Sequence, residues 1–314
     1  MHKEFLMGNA AIALGAVAAG VNVVAGYPGT PSTEVLETIA KHRPDDVYVE
    51  WSVNEKAAME LAAGASYAGA RSMVTMKQVG LNVASDPLMS LEYVGIKGGM
   101  VILVADDPGP ISSQTEQDTR HFSRFSKLPC FDPSSAQEAY EMIQEAFEYS
   151  EKYGTPVFLR PTTRVCHGYA SIMVKDETEY THHQPEGFIK DSKRWVIFPR
   201  LSFMNHKKIE ARNQELSDIF SSYEKNTIHP SCDAFKDSKK GIATGGISYT
   251  YTMETLKKTG MVKTLKIATP HPFPEKLAVD FLSGLDEVLC LEELDPVIER
   301  ELIYICGKYH LPTR

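Results

Sequence analysis

Apolar β-rich runs alternate with longer helical patterns through the first half of the chain, and this order constrains the fold more than any other feature. Such runs occur at five places: VNVVAGY, VYVEWSV, SMVTM, MVILVAD and TPVFLRP. Strands separated by crossover helices pair in parallel, and a strand buried on both faces reads as a continuous apolar run, as MVILVAD does. The sequence therefore predicts a parallel-sheet α/β domain over residues 1–170.

The strand–helix pattern weakens after residue 170 and then resumes in a smaller unit. Residues 171–237 are polar with scattered proline, and we interpret them as a connector that contains one amphipathic helix around residues 205–223. Over residues 238–314 the strands GIATGG, TLKIATP and EVLCLEEL again alternate with helical segments. We therefore expect a second, smaller α/β domain there.

Charge and cysteine usage exclude several classes of protein. The 33 Lys and Arg against 41 Asp and Glu give a net charge of -8, and no long basic run offers a nucleic-acid surface. The five cysteines form no CxxC pair, which indicates reduced thiols in a reducing compartment. The apolar segment at the start of the chain is interrupted by Asn9 and Asn22. No uninterrupted apolar stretch there reaches the roughly 20 residues that a membrane span needs. We expect a soluble, cytoplasmic protein.

Several common catalytic and binding motifs are absent. Neither GxGxxG after a strand nor GxxxxGK[ST] occurs, so dinucleotide and P-loop binding have no support beyond fold analogy. No GxSxG elbow is present for a serine hydrolase. Since neither HExxH nor a Cys/His cluster occurs, the sequence predicts no metal site in this chain.

Glu55 is the candidate catalytic residue. In a parallel sheet ligands bind outside the carboxyl ends of strands, and Glu55 stands one or two residues past the second strand. Asn54 before it is a candidate N-cap, and a carboxylate in this position stabilises the helix dipole without any further function. The following helix is rich in Ala and Gly, which favours close approach of a ligand or another backbone.

Three other loops at the predicted carboxyl edge carry polar side chains. The turn GYPGTPST offers the hydroxyl of Thr30, although a βα turn of this composition needs no function. MKQVGLN places Lys77 and Gln78 directly after the third strand. The long loop ADDPGPISSQTEQDTR concentrates Asp106, Asp107, Ser112, Ser113, Gln114 and Arg120. Because a purely structural connection is usually shorter, the long loop is a functional candidate.

Five segments together resemble the α subunits of indolepyruvate ferredoxin oxidoreductases: GNAAIALGAVAAGVNVVAGYPGTPST, NEKAAMELAAGAS, MKQVGLNVASDPL, ADDPGPISSQTEQDTR and LEELDPVIERE. These enzymes are thiamine-diphosphate-dependent 2-oxoacid:ferredoxin oxidoreductases. The resemblance covers residues 5–170 and about 240–314. It implies a first domain that binds the pyrimidine half of thiamine diphosphate and a second domain similar to the carboxyl-terminal domain of transketolase.

The resemblance also implies a reaction and a set of site residues. The reaction is oxidative decarboxylation of an aryl 2-oxo acid with coenzyme A and ferredoxin. Glu55 is expected to hydrogen-bond N1′ of the aminopyrimidine and so to promote proton removal from the thiazolium ring. The remaining cofactor-binding residues are Thr30, Lys77, Gln78 and Gly80, and the substrate-binding candidates are Thr30, Ser113, Gln114 and Arg120.

Departures from the family pattern limit what this chain is expected to do by itself. It has no GDG motif for Mg²⁺ and the diphosphate, and no cysteine run for iron–sulfur clusters. We therefore expect an incomplete, separately inactive part of an oligomeric enzyme. It would share the cofactor with a missing domain or a partner β subunit, and Mg²⁺ and the clusters would occur only in the complete enzyme. Gln78 replaces a usual His and Ala10 a usual Glu, which leaves a non-catalytic assembly or binding subunit as the alternative.

Overall fold

The computed structural model describes all residues, 1–314. Its strands are β1 (His2–Met7), β2 (Val23–Gly26), β3 (Tyr48–Trp51), β4 (Ser72–Lys77), β5 (Met100–Ala105), β6 (Cys130–Phe131), β7 (Val157–Leu159), β8 (Tyr169–Val174), β9 (Thr227–His229), β10 (Lys240–Gly245), β11 (Lys263–Ile267) and β12 (Glu287–Leu291). Its helices are α1 (Gly8–Ala18), α2 (Thr33–His42), α3 (Glu55–Tyr67), α4 (Gln78–Val94), α5 (Thr119–Ser126), α6 (Ala136–Tyr153), α7 (Thr163–His167), α8 (Ser192–Trp195), α9 (Pro199–Phe220), α10 (Gly246–Thr259), α11 (Glu275–Leu282) and α12 (Val297–Tyr309).

The larger sheet has six strands, and every strand is parallel to its neighbours. The strand order is β3-β2-β4-β5-β7-β6. All residues of β5 are buried, as its continuous apolar sequence predicts. The parallel sheet is therefore confirmed. The strand that the sequence did not reveal, β6, has only two residues and is too short to produce a pattern.

Helices cover both faces of this sheet. On one face α1, α2 and α6 bury Ile12, Ile39 and Phe147 completely. On the other face α3 and α4 bury Met59 and Leu88. Removing each such side chain from water contributes about 1.5–3 kcal/mol, so the two apolar layers fix the sheet between the helices.

The chain reverses its direction along the sheet at β2. From β2 it passes to the edge strand β3, and α3 then carries it back across β2 to β4. Helix α2 leaves the carboxyl end of β2 toward one face, whereas α4 leaves the carboxyl end of β4 toward the other. This arrangement opens a crevice between the two strand ends, which is where α/β proteins bind ligands.

The smaller sheet has the order β12-β10-β11-β9, in which β10, β11 and β12 are parallel and β9 is an antiparallel edge strand. Helices α10, α11 and α12 pack against it, with Phe281 and Ile298 in its core. The predicted fold class, a parallel-sheet α/β domain followed by a smaller α/β domain, is confirmed.

The structure adds detail to the predicted connector, while the division into residues 1–170, 171–237 and 238–314 stays a prediction. Strand β8 crosses the first boundary and pairs antiparallel with β1. Strand β9 lies inside the connector range and pairs with β11 of the smaller sheet. The connector helix is α9, which begins at Pro199 rather than near residue 205. Proline fits the first turn of a helix, so this earlier start was available from the sequence.

The two sheets are joined by backbone hydrogen bonds at β6. Cys130 N–H donates to the His271 carbonyl at 2.7 Å, and Asp132 N–H donates to the Ala268 carbonyl at 2.8 Å. The smaller sheet is therefore held directly against the edge strand of the larger one. No helix in the structure is both long enough and apolar enough to span a membrane.

Candidate functional site

Glu55 lies at the amino end of α3, next to the first turn of α4. Asn54 caps α3, because its side-chain oxygen accepts a hydrogen bond from Ala57 N–H at 2.9 Å. Gly80 contacts the Glu55 carboxylate so closely that an added Cβ would lie 2.4 Å from Oε1. The missing side chain at position 80 therefore provides the space that the carboxylate occupies.

The turn after β2 packs on the side chain that ends β4. A Cβ added to Gly29 would lie 3.0 Å from Cγ of Lys77 and 3.1 Å from its Cδ. The long loop after β5 reaches both groups: Ser112 Oγ donates to the Thr30 carbonyl at 3.3 Å, and Lys77 Nζ donates to Gln114 Oε1 at 3.4 Å. The structure therefore brings Thr30, Lys77 and Gln114 together at the crevice.

Asn9, on α1, holds the turn after β2 in place, and the sequence analysis missed this role. Its side-chain Nδ2 donates to the Pro31 carbonyl at 2.7 Å and to Glu34 Oε2 at 2.8 Å. Asn9 is completely buried. A polar residue within an otherwise apolar helix was the available signal, because a buried amide needs partners.

Gln78 and Ser113 each leave a buried polar atom without a partner. Gln78 is 2% exposed, and its Nε2 donates to the Thr115 carbonyl at 3.2 Å while Oε1 receives no hydrogen bond. Ser113 Oγ is also buried and unpaired. Unpaired buried polar atoms are uncommon in folded proteins, so these two mark places where a bound group can supply hydrogen bonds.

Asp107 shapes the loop that carries Ser113 and Gln114. Its Oδ2 accepts hydrogen bonds from the backbone N–H groups of Ile111, Ser112 and Ser113 at 3.0, 2.9 and 3.1 Å. Burial raises the pKa of Asp107, but the hydrogen bonds from Ser112 and its neighbours outweigh burial and hold the pKa below its usual value. The anion therefore holds three successive backbone N–H groups of the loop at the crevice. The sequence indicated Asp107 as a loop residue but did not reveal this function.

Comparison with known proteins identifies the family. Residues 14–230 match the model of the pyruvate flavodoxin/ferredoxin oxidoreductase family, whose description is a thiamine-diphosphate-binding domain. The chain belongs to this family. The matched range includes the whole crevice, from the turn at Thr30 to the loop at Gln114.

Relatives of this oxidoreductase domain agree with the family match. The chain is 43% identical to the indolepyruvate oxidoreductase subunit IorA of Methanothermobacter thermautotrophicus, over 98% of this chain and 50% of that one. Its fold is similar to a 2-oxoglutarate:ferredoxin oxidoreductase from Magnetococcus marinus, with a TM-score of 0.77 and 18% identity over 98% of this chain and 60% of the other. It is also similar to a split-gene transketolase, with a TM-score of 0.60 and 14% identity over 96% of this chain and 84% of the other. The chain spans about half the length of the IorA relative.

The residues around Glu55 fit the pyrimidine of the cofactor that this oxidoreductase family binds. The neighbours of Glu55 are paired elsewhere: Asn54 caps α3, and Lys56 binds Asp86 at 2.7 Å. The Glu55 carboxylate is therefore available to accept a hydrogen bond from a ring nitrogen. The unpaired Oε1 of Gln78 offers a second acceptor two residues before Gly80. No group of three or more His, Cys, Asp or Glu side chains is arranged to hold a metal ion.

The structure gives Arg120, which the sequence predicts to bind substrate, a set of buried partners within the chain, and its role at the substrate stays a prediction. Arg120 is 3% exposed, and its guanidinium binds Asp118 at 2.6 Å and Glu292 at 2.8 Å. Its Nη2 also donates to the carbonyls of Glu293 and Asp295, at 2.7 and 2.9 Å. Because these partners occupy the guanidinium, Arg120 holds the smaller domain against the larger one instead of facing the crevice.

A second buried arginine lies beside Arg120, and the sequence analysis did not identify it. Arg160 is 2% exposed and contacts Asp106 at 2.6 Å and Asp132 at 3.3 Å. Burial raises the pKa of Asp132 to about 6, although Arg160 opposes this shift. Burial likewise raises the pKa of Asp106 against the effect of Arg160. Arg160 therefore joins the carboxyl ends of β5, β6 and β7 through charge pairs.

Proposed function

We propose that this chain supplies the pyrimidine side of the thiamine diphosphate site in an indolepyruvate:ferredoxin oxidoreductase. The observation that carries the proposal is the Glu55 carboxylate, unpaired within the chain and seated against Gly80 at the crevice. The identity of 43% to the subunit IorA supports the aryl 2-oxo acid as the substrate class.

Glu55 acts on the cofactor at one atom. Its carboxylate holds a proton at N1′ of the aminopyrimidine, and this charge-assisted hydrogen bond raises the basicity of the 4′-nitrogen. When bound, thiamine diphosphate supplies the electron sink that decarboxylation of a 2-oxo acid requires. Thr30, Lys77, Gln78 and Gly80 would line the pyrimidine, and Thr30, Ser113 and Gln114 would contact the substrate from the turn and the loop.

The complete enzyme would contain partners that cover this crevice. Val53 stands shortly before Glu55 in the sequence, and Val83 stands shortly after Gly80. Their side chains are 84% and 47% exposed. A domain that binds the diphosphate and Mg²⁺, on a partner β subunit or elsewhere, would bury this apolar surface. In this proposal the enzyme is a cytoplasmic oligomer that uses coenzyme A, iron–sulfur clusters and ferredoxin, and the chain alone is inactive.

The test is turnover of the complete enzyme with Glu55→Gln. Gln keeps the shape of the side chain, but it is neutral and cannot stabilise a proton at N1′ of the cofactor. We therefore expect turnover to fall more than about 100-fold. The matched control is Glu60→Gln, which makes the same change on the exposed surface of α3 and should leave turnover unchanged. Near-normal turnover of Glu55→Gln would refute the role of Glu55.

The alternative is a non-catalytic assembly or binding subunit, and Gln78 is the observation that favours it. The buried Gln78 amide donates to the Thr115 carbonyl at 3.2 Å, at a position where the family resemblance implies His. Calorimetric titration of thiamine diphosphate with Mg²⁺ into the complex, with and without this chain, separates the two functions. We expect affinity and turnover to depend on the chain, whereas unchanged values without it would establish the alternative.

A further inference from the structure

Lys77 is the one cation of the crevice that has no carboxylate partner. The crevice is formed by the turn after β2, the starts of α3 and α4 and the loop after β5, and these segments contain three Lys or Arg side chains. Lys56 pairs with Asp86 at 2.7 Å, and the charge of Arg120 is enclosed by buried carboxylates. Lys77 forms no ion pair, and its side chain makes a single hydrogen bond, from Nζ to Gln114 Oε1 at 3.4 Å.

The ammonium group of Lys77 therefore has unused hydrogen-bonding capacity. An ammonium group carries three donors, and hydrogen bonds from nitrogen to oxygen are usually about 2.7–3.2 Å long. The one bond that Lys77 makes is longer than this range, and its acceptor, the amide oxygen of Gln114, is neutral. A negatively charged group at the crevice would be a better partner for this ammonium group than any group of the chain.

The position of the Lys77 side chain is fixed by Gly29. Lys77 is the last residue of β4, and a Cβ added to Gly29 would lie 3.0 Å from its Cγ and 3.1 Å from its Cδ. A side chain at position 29 would therefore push the lysine stem away. As a result the stem lies against the turn that carries Thr30, and the ammonium group reaches the loop that carries Gln114.

We propose that Lys77 binds the carboxylate of the 2-oxo acid, in addition to lining the pyrimidine. The proposal rests on the proposed function, in which Thr30, Ser113 and Gln114 contact the substrate and none of them is charged. A 2-oxo acid is an anion at neutral pH, and a hydrogen bond between charged groups is roughly twice as strong as one between neutral groups. Lys77 contacts both the turn and the loop that carry these residues, so it supplies the cation that they lack.

Glu55 and Lys77 thereby act on different groups. Glu55 accepts a hydrogen bond from the pyrimidine, and Lys77 pairs with the substrate. The two side chains form no ion pair with each other, so both charges stay available for ligands. Departure of the carboxylate as CO₂ removes the charge that Lys77 binds, so this ion pair stabilises the bound substrate more than the transition state. Lys77 should therefore determine the affinity for the 2-oxo acid rather than the rate of its reaction.

The experiment is calorimetric titration of the complete enzyme with two unreactive probes. Indole-3-lactate carries the carboxylate, and indole-3-lactamide is its neutral counterpart. Neither has a 2-oxo group, so binding is measured without turnover. We expect indole-3-lactate to bind at least about tenfold more tightly than indole-3-lactamide, because only the lactate can pair with the ammonium group.

Substitutions of Lys77 test which side chain causes this difference. Lys77→Met removes the charge and keeps an unbranched apolar stem, so indole-3-lactate should bind at least about tenfold more weakly while indole-3-lactamide binds as before. Lys77→Arg keeps a cation and should restore most of the affinity for the lactate. If Lys77→Met does not assemble, Lys77→Gln makes the same test with a neutral polar side chain.

Lys56→Met is the matched control. It removes a cation that stands next to Glu55 in the sequence but pairs with Asp86. Both probes should therefore bind to this variant as they do to the unmodified enzyme.

Steady-state kinetics separate substrate binding from a structural role. Lys77→Met should raise KM for indolepyruvate at least about tenfold and leave kcat within about threefold of its original value, because the lost contact belongs to the bound substrate. A lysine that only supported the fold of the crevice would lower kcat and weaken the binding of both probes.

Two outcomes would overturn the proposal. Undiminished binding of indole-3-lactate to Lys77→Met would mean that another group holds the carboxylate. Equal weakening of the lactate and the lactamide would assign Lys77 a structural role. Failure of the proposed function is distinguishable from both, since it would appear as normal turnover of Glu55→Gln. If Glu55→Gln lost turnover while Lys77→Met bound indole-3-lactate normally, only the role of Lys77 would be refuted.

Discussion

Two charged clusters lie near each other at the carboxyl edge of the larger sheet, and they differ in how their charges are paired. Arg120 and Arg160 are buried, and both form ion pairs with carboxylates, although Arg160 Nη2, 3.7 Å from Asp118 Oδ1, makes no hydrogen bond. Glu55 has no ion-pair partner, and it lies among groups that leave hydrogen bonds unmade. Both clusters follow strand ends, so position in the fold does not distinguish them. Pairing does.

We expect this difference to separate residues that stabilise the structure from residues that act on a ligand. A buried ion pair uses its hydrogen-bonding capacity within the protein, and removal of one partner leaves an uncompensated charge. A carboxylate without a partner keeps its capacity for a ligand. We therefore expect substitutions in the arginine cluster to reduce stability and substitutions at the Glu55 cluster to reduce function. The predictions below test this contrast, in decreasing order of their effect on the free energy of unfolding.

Arg160→Met should have the largest effect on stability. The substitution leaves Asp106 and Asp132 buried without their cation, so we expect a loss of about 3–5 kcal/mol in the free energy of unfolding. Urea denaturation measures this loss. Arg164→Met is the control, because Arg164 pairs with Glu293 at 2.7 Å but is 47% exposed, and an exposed pair contributes less than about 1 kcal/mol. Equal losses for both variants would contradict the contrast.

Asp107→Asn should have an intermediate effect, because Asp107 belongs to both kinds of site. Loss of the charge weakens the hydrogen bonds to three backbone N–H groups, and we expect a loss of about 1.5–3 kcal/mol. The pKa of Asp107 is lowered in the folded protein, so its contribution is full above the unfolded value of 3.8 and lost as pH falls below it.

Hydrogen exchange measures the Asp107 effect where it should occur. The amides of Ile111, Ser112 and Ser113 should exchange faster in Asp107→Asn, while amides of β5 should change only with global stability. Asp86→Asn is the control, since Asp86 forms an exposed pair with Lys56. Unchanged exchange at residues 111–113 would mean that the loop does not depend on this anion.

The sequence predicted the parts of the site that arise from local chemistry. The apolar run of β5, the cap at Asn54 and the position of Glu55 after a strand all depend on neighbouring residues, and the structure has each of them. Strand order was harder to predict, because it depends on which faces of α2 and α3 pack on the sheet. The crevice between β2 and β4 follows from that order.

Contacts between distant segments account for what the sequence could not predict. Arg120 was expected at the substrate because it stands in a polar loop, but its partner Glu292 is 172 residues away. The burial of Glu92, which is 3% exposed on α4, was missed for the same reason, since α9 packs against the end of α4. Strands β6 and β9 have two and three residues, too few for an apolar pattern to appear.

Glu92→Gln extends the contrast to a carboxylate that is both buried and unpaired. Burial raises the pKa of Glu92 from 4.5 to about 7, so the folded state binds more protons than the unfolded state between these values. The stability of the unmodified chain should therefore fall as pH rises from 4.5 to 7. Glu92→Gln should be more stable than the unmodified chain by about 1 kcal/mol at pH 8 and by less at pH 5. A difference independent of pH would show that the charge of Glu92 is not its cause.

Gly80→Ala should have the smallest effect on stability, and it sharpens the contrast most. Ala favours a helix over Gly by about 1 kcal/mol, and the atoms nearest to the new Cβ, at 2.4, 2.6 and 2.7 Å, are Oε1, Cγ and Cδ of the Glu55 side chain, which must therefore move. The free energy of unfolding should therefore stay within about 1 kcal/mol of its original value. Displacement of the carboxylate should nevertheless lower the turnover of the complete enzyme at least about tenfold, because a small misplacement of a catalytic group has a large cost. Gly64→Ala is the matched control, since nothing lies within 4 Å of a Cβ there, and it should keep full turnover. If Gly80→Ala also kept full turnover, the position of the Glu55 carboxylate would not be important for the reaction. The function proposed for Glu55 and its neighbours would then be refuted.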